Sequence, residues 1–367
     1  MTNLFPSNSN NRQSNTINNL SNNNQSKRTK QLFLILSKDI ISIKNLSNFC
    51  WQGIPSDNNK NRAICWKYLL GIYPLNTELT KSVIKKKKEE YKIMCNDYSK
   101  ALSEPEKVMN DQELGHYRQI VKDVTRTMQE YPMFQNEKMQ FIMERILYIW
   151  SMRHPASGYV QGINDLVVPF FVVYFLEQFE CCSINELLAK SINEIEKALN
   201  EDQMLSIETD IYYSLNKLLD RIQTHYTKDQ PGIQKMMTKM ETLIKIVDKE
   251  LSDYLQKMDV QYVSFCFRWM NCYLMREFPI NLIIRMWDTY FSEENSFSDF
   301  HFYVCSSLLL SFSQKLKKMK EFQEIILFLQ NLPTNKTWNE NDLEILLAKS
   351  YQIRETYGDY LKNQKEN

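Results

Sequence analysis

Glycine is scarce in this chain: there are seven glycines among 367 residues, where the usual frequency of about 7% would give about 26. Tight hairpin turns depend on glycine for backbone conformations with positive φ, so the scarcity argues against a hairpin-rich fold. Lysine, leucine, methionine and glutamate, which favour helices, are abundant. A helical fold is therefore predicted. An AT-rich genome, indicated by the heavy use of Lys, Asn and Ile, offers a second explanation for the deficit, and both can hold.

Paired cysteine motifs and long apolar runs are also missing. None of the eight cysteines is three residues from another, which argues against a zinc ribbon or a thioredoxin-type site and favours buried thiols in a reducing compartment. The longest apolar run, "LVVPFFVVYFL" at 166–176, is far shorter than the ~20 residues of a membrane span. The N-terminus carries no signal-peptide pattern. We expect a cytoplasmic protein with peripheral membrane contact at most.

Most catalytic signatures are absent as well. The sequence contains no GxSxG nucleophile motif, no phosphate-binding loop and no GxGxxG motif, and it shows no metal-ligand cluster. The formal net charge of +1 argues against a protein devoted to nucleic acid. The basic segment "KSVIKKKKEEYK" at 81–92 could bind phosphate, but its two glutamates favour a solvated helix face. We therefore expect no metal and no cofactor of the chain's own.

The pattern along the chain predicts a polar tail followed by helices. Residues 1–30 are rich in Asn and Ser and are predicted to be a disordered tail, since they cannot bury enough apolar surface. An apolar stripe runs from Met139 to Trp150, and this helix should end near Arg153 because Pro155 disfavours helical geometry before it. The run at 166–176 fits a buried strand or a buried helix, and its helical surroundings favour the helix.

Two polar elements could carry chemistry. Asp123 and Arg126 lie three positions apart in "QIVKDVTRT", a spacing at which helical side chains face each other. Alone, they fit an ordinary surface ion pair worth under ~1 kcal/mol. Gln161 lies between Gly158 and Gly162 in "SGYVQGINDL", where glycines permit a sharp turn. Alone, it fits a loop residue bonded to its local backbone.

Together the two elements indicate something more specific. An arginine that neutralises charge and a glutamine that orients water are the two side chains that phosphoryl-transfer switches need beyond a nucleotide and Mg²⁺. Because this chain has no phosphate-binding loop, it would have to offer both side chains to another molecule.

These segments resemble motifs of the TBC-domain family of Rab GTPase-activating proteins. The family's IxxDxxR and YxQG segments read here "IVKDVTR" (120–126) and "YVQG" (159–162). Its apolar block around Trp-Asp reads "RWMNCYLMREFPINLIIRMWD" (268–288), and "GIP…R…W" (53–66) also fits. The resemblance covers about 49–357. The stretch "RHPASGYVQGINDLVVPFFVVYF" is especially similar to the Golgi-associated subfamily, which comprises the yeast Golgi Rab GAP and its animal counterparts.

The resemblance implies an all-α fold of two helical subdomains. We place them at residues 31–240, carrying both catalytic residues, and at 241–360. It implies that Arg126 is an arginine finger and Gln161 a glutamine finger, both catalytic in trans. The residues that the resemblance places in support of these fingers, or against the partner, are Asp123, which would orient the arginine, Tyr159 and Gly162, which would shape the loop, and Asn164 and Asp165, which would brace it.

The implied function is activation of GTP hydrolysis by a Rab-family small GTPase in its GTP state, and so regulation of vesicle trafficking. The chain would perform no substrate chemistry of its own, since GTP and Mg²⁺ are bound by the partner. The subfamily indicates the cytosolic face of the Golgi or another endomembrane, with a Golgi adaptor protein as a further partner. The alternative is a non-catalytic helical scaffold that binds a Rab or an adaptor. The presence of both finger residues favours catalysis.

Overall fold

The structure is a computed structural model that describes residues 27–293 and 297–363, and within these ranges it contains helices and no strands. The one β-like pairing in the described residues is an isolated bridge between Ile40 and Asn76. The prediction of an all-α fold is thus confirmed. None of the helices in the described ranges combines the length and apolar character required to cross a membrane.

Thirteen helices precede Pro231 in the described part of the chain. They are α1 (27–36), α2 (Ile43–Cys50), α3 (Asn59–Leu69), α4 (Thr80–Asp97), α5 (Ser99–Ser103), α6 (Pro105–Val108), α7 (Asp111–Thr125), α8 (Pro132–Gln135), α9 (Glu137–Arg153), α10 (Ile163–Leu176), α11 (Ile184–Leu188), α12 (Ile192–Ala198) and α13 (Glu201–Arg221). Two short 3₁₀ turns accompany them, Thr77–Leu79 and Gln223–His225.

Nine further helices follow in the described residues. They are α14 (Pro231–Val247), α15 (Lys249–Lys257), α16 (Val263–Asn271), α17 (Ile280–Ser292), α18 (Phe297–Ser311), α19 (Ser313–Leu316), α20 (Phe322–Gln330), α21 (Thr334–Thr337) and α22 (Glu340–Asn363).

Local sequence signals set several of these helix ends. Helix α7 begins with a capping box in which Asn110 and Glu113 satisfy each other's backbone N–H groups. Helix α9 ends at Arg153, as predicted from Pro155. Because proline restricts where a helix can end, the polar loop that follows α9 starts at a fixed point.

Helix α10 lies at the centre of the molecule. All fourteen of its residues are buried, Pro169 included, and it packs against α3, α7, α9, α11, α13 and α17. The apolar run at 166–176 is therefore a buried helix, as its surroundings favoured. At about 25 cal/mol per Å² of buried apolar surface, such a helix contributes strongly to folding. The loop immediately before it, 157–162, is consequently attached to the most rigid part of the fold.

The predicted tail boundary at residue 30 is wrong at its C-terminal end. Residues 27–30 already belong to α1, while residues 1–26 lie outside the described residues. Arg28 donates from Nη2 to the carbonyl of Gly53 at 2.5 Å, and its guanidinium lies 4.9 Å from the centre of the Phe49 ring. The polar composition of residues 1–30 gave no signal for these contacts, because each contact partner lies more than twenty positions away along the chain.

The predicted subdomain boundary between residues 240 and 241 falls inside α14, which is continuous from Pro231 to Val247. Pro231 occupies the first turn, where its missing N–H costs no hydrogen bond. Helix α14 packs against α15, α16, α18 and the 3₁₀ turn Gln223–His225. We call the described residues before Pro231 the first half of the fold and those from Pro231 onward the second half.

The basic segment 81–92 forms part of α4, and two of its lysines are engaged with the protein. Lys87 donates from Nζ to the carbonyl of Ile72 at 2.9 Å, and Lys88 donates to Asp202 Oδ1 at 2.6 Å. These contacts support the interpretation of the segment as a helix face rather than a phosphate site.

A buried carboxylate joins the two halves of the fold. Asp288 of α17 is fully buried and receives the Nε1–H of Trp66 at 2.8 Å and the backbone N–H of Ile54 at 3.0 Å. Arg62 forms an ion pair with it, with Nε 3.1 Å from Oδ1. The "GIP…R…W" segment and the Trp-Asp segment are thus parts of one polar cluster.

We expect Asp288→Asn to lower the free energy of unfolding by about 3 kcal/mol, because it leaves the nearly buried Arg62 guanidinium without a counter-charge. Urea denaturation followed by circular dichroism measures the loss. The control is Glu106→Gln, which breaks the exposed pair between Arg118 and Glu106 and should cost less than ~1 kcal/mol. Equal losses in the two variants would contradict the assignment of Asp288 as the joint between the halves.

Candidate functional site

Arg126 ends helix α7 and projects partly into solvent. It is the C-cap residue of the helix, and its side chain is 41% exposed. Asp123, one turn earlier, is fully buried, and the guanidinium Nη2 lies 2.5 Å from its Oδ1. The predicted pairing is present, but it differs from an ordinary surface ion pair because the carboxylate is inside the protein. One edge of the guanidinium is therefore fixed while the rest remains accessible.

The Asp123 carboxylate has two further donors. Gln119 donates from Nε2 to Oδ1 at 2.9 Å, and the hydroxyl of Tyr159 donates to Oδ2 at 2.9 Å. Burial, reinforced by the neighbouring carboxylate, raises the pKa of the Tyr159 hydroxyl far above its usual range. Tyr159 thus stays protonated and acts as a donor. Asp123 connects the end of α7 with the loop that carries Gln161.

Gln161 lies in this loop with an exposed side chain and a fixed backbone. Its side chain makes no hydrogen bond to any part of the chain that the structure describes. Its carbonyl oxygen accepts a hydrogen bond from Asn271 Nδ2 at 2.9 Å. The next residue, Gly162, directly precedes α10. The carboxamide therefore extends outward from a backbone held at a defined position.

Gly162 is required here for two reasons. Its φ is +109°, a conformation that residues with a side chain rarely adopt. A Cβ at this position would lie 2.3 Å from Asn271 Nδ2, far inside van der Waals contact. The scarce glycine thus permits both the sharp turn and the close approach of Asn271 to the Gln161 carbonyl.

Asn164 and Asp165 contact this loop from its buried side. Asn164 Oδ1 accepts hydrogen bonds from the Gly162 N–H at 3.1 Å and from the Tyr159 hydroxyl at 3.2 Å. Asp165 pairs with Arg276, whose Nη2 lies 2.9 Å from Oδ2. Burial raises the pKa of the Asp165 carboxyl, and Arg276 opposes that rise. Asn164 therefore contacts the loop directly, while Asp165 ties the first turn of α10 to Arg276.

Sequence reasoning missed four side chains of this network. Gln119 and Thr127 lie four positions on either side of Asp123, so helical periodicity offered a signal for them. Thr127 accepts a hydrogen bond from Asn164 Nδ2 at 2.9 Å. The two others, Asn271 and Arg276, lie in the quoted block 268–288. More than a hundred positions separate them from the loop, so no local pattern links them to it.

One network of hydrogen bonds holds the backbones of a cationic side chain, Arg126, and an amide side chain, Gln161. Arg126 and Gln161 are both accessible, and a continuous chain of contacts through Asp123 and Tyr159 joins their backbones. Within the described residues these two side chains make no other charged contact than the one to Asp123. Such a pair is suited to bind and polarise an anionic group brought by another molecule.

Comparison with known proteins places this site in a family. The family model described as Rab-GTPase-TBC domain matches residues 59–317. The chain is 38% identical to TBC1 domain family member 22B of Homo sapiens over 90% of its length. It is 42% identical to GTPase-activating protein gyp1 of Schizosaccharomyces pombe over 91% of its length. The chain spans 62% and 63%, respectively, of these two relatives.

Solved structures agree with this result. The crystal structure of the Ypt/Rab-GAP domain of Gyp1p superposes with a TM-score of 0.82 at 37% identity, covering 91% of this chain and 99% of that one. The TBC domain of a Chlamydomonas flagellar RabGAP shares the fold, with a TM-score of 0.60 at 18% identity over 96% of this chain and 97% of that one. The family match extends over more than half of the chain and includes the whole of the network around Asp123, so the chain belongs to the Rab-GTPase-TBC domain family.

Proposed function

We propose that this chain accelerates GTP hydrolysis by a Rab-family GTPase, by inserting Arg126 and Gln161 into the active site of its partner. Family membership supports this proposal, as do the relatives described as GTPase-activating proteins. The observation that carries it is the buried Asp123 carboxylate, which contacts Arg126 on one side and Tyr159 of the glutamine loop on the other. Arg126 remains 41% exposed despite this pair, and Gln161 is exposed as well, so both side chains are accessible to a partner.

Arg126 would neutralise negative charge that develops on the transferred phosphoryl group. A guanidinium has five N–H donors, and the pair with Asp123 engages the Nη2 group only. The N–H groups that this pair does not use, those of Nη1 and Nε and the second hydrogen of Nη2, are left to contact phosphate oxygens. An arginine supplied in trans typically accelerates hydrolysis 10³- to 10⁵-fold, which corresponds to about 4–7 kcal/mol at 1.36 kcal/mol per tenfold.

Gln161 would orient the attacking water. A carboxamide can accept a hydrogen bond from water through its oxygen and donate another through its nitrogen. Placing the water in line with the phosphorus atom is a positional effect, so it depends on a rigid backbone. The bonds to the Gln161 carbonyl and the Gly162 N–H supply that rigidity.

In this mechanism the chain is an activator rather than an enzyme with its own substrate. GTP and Mg²⁺ belong to the partner GTPase, and every bond made or broken lies in the nucleotide and the water. We place its action at the cytosolic face of Golgi or other endomembranes, reached with the help of an adaptor protein, on the strength of the subfamily resemblance in 153–175.

Arg126→Ala is expected to reduce the stimulated rate of hydrolysis by at least about 10³-fold, because it removes the charge-neutralising group. Arg126→Lys should lose most of the activity too, because an ammonium lacks the planar fork. Phosphate release from a panel of GTP-loaded Rabs measures both. The control Arg118→Ala removes an exposed arginine of the same helix, paired with Glu106, and should retain the wild-type rate. Binding without stimulation by the wild-type chain would favour a non-catalytic scaffold.

Gln161→Ala is expected to reduce the same rate about 10²- to 10³-fold while the affinity for the GTP-bound Rab changes less than about threefold. The matched control is Gln256→Ala, which removes an exposed glutamine from α15. If Gln161→Ala retained the wild-type rate on every stimulated Rab, the glutamine of the GTPase itself would orient the water, and the role proposed for Gln161 would be wrong.

Tyr159→Phe tests whether the two side chains share one support. The variant removes only the hydroxyl that donates to Asp123, and we expect a fall in the maximal stimulated rate of about tenfold with an unchanged affinity for the Rab. A buried acceptor that loses one of its donors should also cost about 1–3 kcal/mol of stability. Thermal unfolding and single-turnover hydrolysis separate the two effects. A variant that is destabilised but hydrolytically normal would show that Tyr159 only stabilises the fold.

A further inference from the structure

Asn271 is a side chain of the second half of the fold that reaches the glutamine loop of the first. It is the last residue of α16 and is buried. Its Nδ2 donates to the Gln161 carbonyl at 2.9 Å, and its Oδ1 accepts from Gln230 Nε2 at 3.3 Å. Its own carbonyl accepts from the Tyr226 hydroxyl at 2.6 Å. Both ends of the carboxamide are therefore held, so the Nδ2 group has a defined direction.

The glutamine loop leaves room for the hydrogen bond between Asn271 and the Gln161 carbonyl. The absence of a Cβ at Gly162 leaves the space that Asn271 Nδ2 occupies, since a Cβ would lie 2.3 Å away. A separate contact between these two regions, the pair of Arg276 with Asp165, involves different side chains. Loss of the Asn271 amide would thus leave the two halves joined while it releases the Gln161 backbone.

Arg126 and Gln161 are the two exposed side chains of the site, and of these two residues Asn271 contacts only Gln161. Arg126 is held by Asp123, whose side-chain donors are Arg126, Gln119 and Tyr159. The hydrogen bonds of Asn271 go instead to Gln161, Gln230 and Tyr226, apart from a 4.0 Å contact with Cys272 Sγ. The effect of Asn271 should therefore depend on the presence of Gln161.

We propose that Asn271 is a positioning residue that fixes the backbone of Gln161 from the second half of the fold, and so sets the efficiency of the glutamine in GTP hydrolysis. This inference rests on the proposed function. The hydrogen bond orients the peptide unit between Gln161 and Gly162, and the carboxamide extends from that unit. A displacement of about 1 Å at a reacting group can cost about 10²-fold in rate.

A double-mutant cycle tests the proposal on the Rab that the wild-type chain stimulates most. We expect Asn271→Ala to lower the maximal single-turnover rate about 10- to 100-fold, with less than about a threefold change in the affinity for that Rab. In the Gln161→Ala background the same substitution should change the rate less than about twofold. Asn271→Asp, which keeps the size and the acceptor but removes the donor, should resemble Asn271→Ala.

Two further variants test the same proposal without changing Asn271 itself. Tyr226→Phe removes a buried hydrogen bond to the Asn271 backbone but leaves the carboxamide intact, so its rate should stay within about threefold of wild type. Gln230→Asn shortens the side chain that orients Asn271 at a half-buried position whose positive φ asparagine tolerates. It should lower the rate about two- to fivefold, again only when Gln161 is present, and it serves if the Asn271 variants do not fold.

The outcomes separate this inference from the proposed function. If the wild-type chain stimulates no Rab, the proposed function fails. If wild type and Gln161→Ala behave as proposed but the Asn271 variants match wild type, this inference alone is overturned. An equal loss from Asn271→Ala with and without Gln161, or an equal loss in Tyr226→Phe, would likewise overturn it, since either result would mean a general structural role.

Discussion

The buried carboxylate of Asp123 is the constraint on which the site depends. An ionised carboxylate inside a protein is stable only when donors surround it, and this one receives Arg126, Gln119 and Tyr159. Gln119 and Arg126 belong to α7 and its C-cap, and Tyr159 belongs to the loop that displays Gln161. Because the carboxylate cannot give up a donor cheaply, the end of α7 and the glutamine loop are held at a fixed separation. The relative orientation of Arg126 and Gln161 therefore follows from the hydrogen bonds that the buried Asp123 carboxylate requires.

The rest of the fold makes that orientation rigid. Helix α10, buried along its whole length, begins immediately after Gly162, so the loop cannot move without disturbing the core. From the other half, Arg276 pairs with Asp165 and Asn271 bonds to the Gln161 carbonyl. Asp288 joins the halves again at a separate buried cluster. Under the proposed function, these contacts hold Arg126 and Gln161 at the surface for a partner GTPase.

The sequence predicted the parts of this arrangement that local patterns encode. The spacing of Asp123 and Arg126, the helix end at Arg153 and the helical character of 166–176 follow from periodicity, capping and proline geometry. The sequence could not indicate that Asp123 is fully buried, because its burial depends on Tyr159, thirty-six positions away. The contact of Asn271 could not be predicted either, because more than a hundred positions separate it from the loop. The boundary predicted between residues 240 and 241 falls inside α14, which is continuous from Pro231 to Val247.

The structure of this chain bound to a stimulated Rab that holds GDP, Mg²⁺ and aluminium fluoride tests the central claim most directly. The account predicts that the Arg126 guanidinium contacts the fluoride group while it keeps its bond to Asp123, and that the Gln161 carboxamide contacts the in-line water. A complex in which the GTPase's own glutamine holds that water, and Arg126 still faces solvent, would contradict it.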